Sequence, residues 1–174
     1  MSYDFTLVKP QAGQTALEAV EQLSREDAGV PLETPPAMSA DDRALQKRAV
    51  AALRAHNPAF ESFRFDLPLI ASELGINLEQ AALRFQHVEL NGPQGGNGIQ
   101  VIVAGATVSI TVPYWHTGPQ AEDVFAEIWV YLQVLAREGF VAYDPQLDRM
   151  LDLATDRPAA LAIYDSVTRR SKRS

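Results

Sequence analysis

The chain has 174 residues, 47% of them hydrophobic, a net charge of −7 and no cysteine. That length and apolar content suit one globular domain with its own core, and the missing cysteines exclude disulfides, thiolate nucleophiles and zinc–cysteine sites. Setting aside the four basic residues of Arg169–Ser174 leaves −11 on residues 1–168, a body that repels phosphate backbones, which argues against nucleic acid, and draws in a basic partner.

Tyr3–Val8 alternates Tyr3, Phe5 and Leu7 with Asp4, Thr6 and Val8, the period of a strand, and Pro10 ends it. Thr15–Leu23 has the apolar spacing of a short helix. Gly29, Pro31, Pro35 and Pro36 mark Ser24–Ala37 as a loop. Ser39 with Asp42 three residues on predicts a capped helix to about Asn57, stopped by Pro58. Phe60, Phe63, Phe65, Leu67, Leu69 and Ile70 read as an irregular segment plugged into the core, followed by a helical turn over Ala71–Gly75. Leu83–Leu90 reads as a strand.

Asn91–Gly98 is glycine-rich, but Gly98 leads into a strand rather than a helix, so it is a hairpin connection and not a phosphate cradle. Ile99–Val103 and Ala106–Val112 pair across Ala104-Gly105, with Thr107, Ser109 and Thr111 facing solvent. Pro113–Pro119 is a loop holding Tyr114, Trp115 and His116. Ala121–Glu138 predicts a long, central amphipathic helix, with Gly139 and Phe140 closing it in a Schellman ending. Phe140–Asp144 is extended up to Pro145, and Asp156 with Pro158 opens a last helix whose apolar edge is Leu161, Tyr164 and Val167. These elements predict an α+β fold: a mainly antiparallel sheet with the long helix packed on one face and additional helices. Residues 1–168 form one domain and 169–174 a basic, disordered tail.

His56, His87 and His116 share no metal-binding spacing, and no serine lies in a nucleophile elbow. No catalytic, cofactor or metal residue is therefore assigned. His56 suits the end of its helix and His87 is structural. His116 sits beside Trp115 in a loop leading to a helix start, where functional groups gather. Glu122, Asp123 and Glu127 in the first half of the long helix suit its macrodipole. Tyr143-Asp144-Pro145-Gln146 follows the last strand as a polar turn at the sheet end.

Met1-Ser2-Tyr3-Asp4, the strand pair closing in Tyr114-Trp115, the amphipathic helix and Gly139-Phe140-Val141-Ala142-Tyr143-Asp144-Pro145-Gln146 resemble the small bacterial immunity-type proteins that accompany polymorphic or contact-dependent toxins. The resemblance spans residues 1–8 and 99–153. It implies an acidic, cytoplasmic α+β protein that seals the active site of a cognate toxin, without enzymatic activity of its own. The expected contact residues are Tyr114, Trp115 and His116 with Glu122 and Asp123, and Tyr143, Asp144 and Gln146 as a second patch. Acids would meet a basic toxin domain and aromatics would anchor it. Two other roles stay open: an adaptor or chaperone of a secretion system, and a small hydrolase or transferase using His116 with Asp123 or Asp144. No apolar run reaches the roughly 20 residues of a membrane span, and Met1–Phe5 lacks the basic and apolar regions of a secretory signal; both fit a cytoplasmic protein. Strand edges and the aromatic loop would also serve a homodimer, which the sequence leaves open.

Overall fold

Gly105 takes a left-handed φ of 60° between the two strands it joins, so the chain turns back on itself where alternation predicts a hairpin. The computed structural model describes residues 2–29, 35–92 and 96–171. In chain order they form β1 (Ser2–Val8), α1 (Ala16–Gly29), α2 (Ala40–His56), β2 (Glu61–Ser62), α3 (Leu67–Leu74), α4 (Leu78–Arg84), β3 (Val88–Asn91), β4 (Gln100–Ala104), β5 (Thr107–Pro113), α5 (Pro119–Arg137), β6 (Val141–Asp144), β7 (Arg149–Met150) and α6 (Arg157–Ser171). The fold is α+β. The strands form one antiparallel sheet in the order β2-β3-β4-β5-β1-β6-β7.

Register sorts the two faces. Leu90 pairs Val101, Val101 pairs Ile110, and Ile110 pairs Phe5, so four fully buried side chains stand in one row. The next row, Glu89, Ile102, Ser109, Thr6 and Tyr143, points the other way and is partly solvated. Against the apolar face lies α5, which buries Ala121, Val124, Phe125, Ile128, Trp129, Tyr131, Leu132 and Leu135. Each such large side chain taken fully out of water contributes about 1.5–3 kcal/mol. Tyr164 of α6 and Leu45, Ala49 and Leu53 of α2 complete this core.

Both helix-terminus signals expected from the sequence, the Ser39 cap and the Gly139 ending, are present. Ser39 Oγ accepts the Asp42 N–H at 3.0 Å to cap α2, although the Asp42 carboxylate binds the Ser39 hydroxyl rather than its backbone N–H. Gly139, at φ 91°, ends α5: its N–H bonds Ala136 O and the Phe140 N–H bonds Leu135 O, the paired bonds of a Schellman motif.

Four expectations are corrected. Helix α1 runs on to Gly29, so the loop expected from Ser24 starts later; residues 30–34 lie outside the described residues. The segment after Pro58 is not a core plug: Phe60 alone is buried, while Phe63 and Leu69 are each 54% exposed. The strand expected over Leu83–Leu90 begins only at Val88, because an Asn77–Gln80 capping box starts a helix that lasts to Arg84. The basic tail is partly ordered, since α6 includes Arg169, Arg170 and Ser171; residues 172–174 lie outside the described residues. Arg169 and Arg170 bond carbonyls one turn back, where cations suit a helix C-terminus.

Candidate functional site

The loop after β5 is fastened from below by α6. The Tyr164 hydroxyl donates to Pro113 O at 2.5 Å and accepts the His116 N–H at 3.1 Å. Tyr114 stacks on the Tyr164 ring at 5.1 Å between centroids. Two bonds and a stacked ring thus fix Pro113, Tyr114 and His116, on both sides of Trp115.

Trp115 is the most exposed large apolar side chain described, at 60%. One edge of its ring lies on Gly98, where an added Cβ would sit 2.4 Å from Trp115 Cζ2. Gly98 also has φ 70°, so it is needed twice, for backbone conformation and for space. Gly98→Ala is expected to destabilise the fold by about 1–3 kcal/mol and to dislodge the indole. Tryptophan emission would report it, because Trp129 stays buried. An unchanged spectrum would show that the ring does not rest there.

His116 is buried, 1% exposed. Its Nε2 lies 2.6 Å from Asn97 O and 2.8 Å from Trp115 Nε1, and its Nδ1 has no partner among the described residues. One nitrogen cannot both donate to the carbonyl and accept from the indole. Placing the proton on Nε2 satisfies the shorter contact and leaves only a lone pair unmatched at Nδ1; the opposite tautomer buries an unpaired N–H, costing about 1–3 kcal/mol. With the proton on Nε2 the ring donates to Asn97 O; with it on Nδ1 the ring instead accepts the Trp115 indole N–H, which points at Nε2.

Asn97 ties this loop to α5. Its Nδ2 donates to Glu127 Oε2 at 2.5 Å, while Glu127 Oε1 accepts from Tyr131 Oη and, at 3.3 Å, from Asn57 Nδ2. Asn57 Nδ2 also lies 2.7 Å from Tyr131 Oη. Burial first, then the Glu127 carboxylate, holds the Tyr131 phenol far above its ordinary pKa. Glu127, expected only to suit the helix dipole, is thus the junction of α2, α5 and the β3–β4 connection. Its spacing of four from Tyr131 was the available signal; Asn57 and Asn97 left none.

The second patch is built inward. Asp144 is fully buried and accepts from Tyr3 Oη at 2.6 Å, from the Gln146 N–H at 2.8 Å and from the Leu147 N–H at 3.1 Å. Burial, followed by Asp144, raises the Tyr3 pKa far above its ordinary value. Tyr143 Oη donates to Asp148 Oδ1 at 2.5 Å, and Gln146 is half-buried.

The two patches meet around Tyr3, whose ring lies 6.2 Å from Tyr114 and whose hydroxyl holds Asp144. The expectation that every member contacts a partner is corrected on burial: His116 and Asp144 offer no surface. The expected pairing of His116 with Asp123 or Asp144 is likewise not made, since His116 bonds only Trp115, Asn97 and Tyr164 among the described residues. What faces outward is Trp115 with Glu122 and Asp123, both exposed in the first turns of α5 and without side-chain hydrogen bonds or ion pairs among the described residues.

A separate cleft of about 590 Å³ includes Ser39, Asp42, Arg84 and His87 in its lining. Burial lowers the His87 pKa, keeping the imidazole neutral, and its ring packs 5.0 Å from Phe65. No hydrogen bond joins His87 to Ser39 or Asp42 among the described residues, and the Ser39 hydroxyl is committed to its cap. Among the described residues no group of three or more His, Asp or Glu side chains is arranged to hold a metal ion, and no helix is long and apolar enough to cross a membrane. Compared with known protein families, curated proteins and solved structures, the chain finds no match.

Proposed function

We propose that this protein is a non-enzymatic binding module of the cytoplasm that neutralises a basic protein partner, as an immunity-type protein covers the active site of its toxin. The observation that carries the reading is Trp115: an indole 60% exposed in a loop pinned by Tyr164, leading into a helix whose first turns carry the exposed Glu122 and Asp123. Rigid exposed aromatics act as anchors that lose little entropy on binding. The net charge of −7 speeds encounter with a cationic surface.

Co-expression with a toxin encoded beside the gene is the direct test. Growth should be rescued and the two chains should co-purify; the absence of both rescue and co-purification would end the proposal. Trp115→Ala is expected to weaken such a complex by at least about 2 kcal/mol, the effect of losing an interface anchor, while leaving thermal stability nearly unchanged. Glu122→Lys with Asp123→Lys should mainly slow association, and the slowing should shrink at high salt. A secretion adaptor is the second reading, favoured by apolar side chains left open on α3 and α4. A cargo that remains active while bound would select it.

A further inference from the structure

Among the described residues, six large apolar side chains are strongly exposed, and four of them, Phe63, Leu69, Leu74 and Leu78, fall within or beside the α3–α4 hairpin. The hairpin stands outside the main core, which takes Phe60 and Leu90 and, between them, only Val88 packed against its edge. Its helices are nevertheless firmly built. Asp66 Oδ1 accepts the Leu69 N–H at 3.1 Å, Gly75 closes α3 at φ 64°, and Asn77 and Gln80 exchange both bonds of a capping box. The leucines are thus presented by capped helices rather than by a frayed loop, and exposed apolar groups concentrated in this way mark interaction surfaces.

Charge names the occupant. Over the hairpin and its approach, residues 61–84, the ionic groups are Glu61, Asp66, Glu73 and Glu79 against Arg64 and Arg84, an acidic excess. A second copy of the chain would set these carboxylates against their own kind, and an anionic lipid surface would be repelled. A cationic amphipathic helix satisfies both features, its leucines on Leu69, Leu74 and Leu78 and its lysines on the acids.

We infer that the α3–α4 hairpin is a docking surface for a basic amphipathic helix of a protein partner. It is separate from the Trp115 loop and stands whether or not that loop binds a toxin.

The probe is a fluorescein-labelled Leu/Lys peptide of about five helical turns, roughly 18 residues, titrated with the full chain by anisotropy; the same peptide with glutamate for lysine is the control. The lysine peptide should bind and the glutamate peptide should not. Leu69→Ser with Leu74→Ser, and separately Glu73→Lys with Glu79→Lys, should each weaken binding at least about tenfold. Asp41→Lys, an exposed acid on α2, should leave it unchanged. All these positions are exposed, and circular dichroism would verify the fold. Amide shifts on adding peptide should centre on residues 61–80. Equal binding by the hairpin variants, equal binding of both peptides, or shifts centred elsewhere would overturn the inference. So would a dimer of the free chain that the leucine variants dissolve, or binding to anionic vesicles that those variants abolish.

Discussion

Asp144→Ala is expected to destabilise the protein by about 3–5 kcal/mol, the combined cost of three donors left without their acceptor. The carboxylate is fully buried and receives three donors, the Tyr3 hydroxyl and the N–H groups of Gln146 and Leu147. Alanine leaves all three without an acceptor, and each buried donor so stranded costs about 1–3 kcal/mol. Tyr3 suffers most, since it is itself fully buried in the middle of the aromatic cluster with Phe5, Phe125 and Tyr164. Asp144→Asn keeps one oxygen for the two backbone donors and lets the phenol turn to accept from the new amide. Its cost should fall to about 1 kcal/mol. Urea unfolding of the three proteins checks the ranking. A loss below about 1 kcal/mol for the alanine variant would show that water replaces the carboxylate and that Asp144 is not a keystone.

The second large effect lies at alkaline pH. Tyr3, Tyr131 and Tyr164 are fully buried, and burial is the first cause of the raised pKa at each. Raised folded values mean that the native chain holds phenol protons which the unfolded chain releases above about pH 10. The folded state then binds more protons, so stability is complete below the ordinary phenol pKa and is lost as pH climbs past it. Each phenol kept neutral contributes a slope of about 1.4 kcal/mol per pH unit between its unfolded and its folded pKa. Phenolate absorbance from these rings should therefore appear together with unfolding rather than before it. Tyr3→Phe should flatten the slope by up to about 1.4 kcal/mol per pH unit. Early, reversible ionisation of all the tyrosines in folded protein would contradict this.

Local chemistry that is repeated within a few residues was legible in the sequence. Alternation around Gly105, the Ser39 cap and the Gly139 ending depend on neighbours only, and all three are present. The antiparallel sheet with α5 on one face follows from the same patterns. Misreadings arose where apolar content hides its destination. Phe63 and Leu69 look like core by composition, yet lie on a hairpin that the core does not cover. The extended look of Leu83–Leu90 was overruled by a cap six residues upstream of Leu83. At the candidate site the aromatic loop was visible, but its interior was not. Whether His116 faces outward is decided by Tyr164 and Asn97, residues brought to it only by the fold.

The position of β1 has a bearing on how the molecule is made. Thr6 sits between Ser109 and Tyr143, so the first strand of this sheet to be synthesised has neither neighbour until the segments that follow it as far as Tyr143 have been made. Sheet closure is a late, long-range event, and such topologies fold slowly because distant segments must meet before any contact rewards them. On the ribosome the nascent Phe5 and Leu7 would remain uncovered throughout, a window in which a chaperone that holds short apolar strands has its natural substrate.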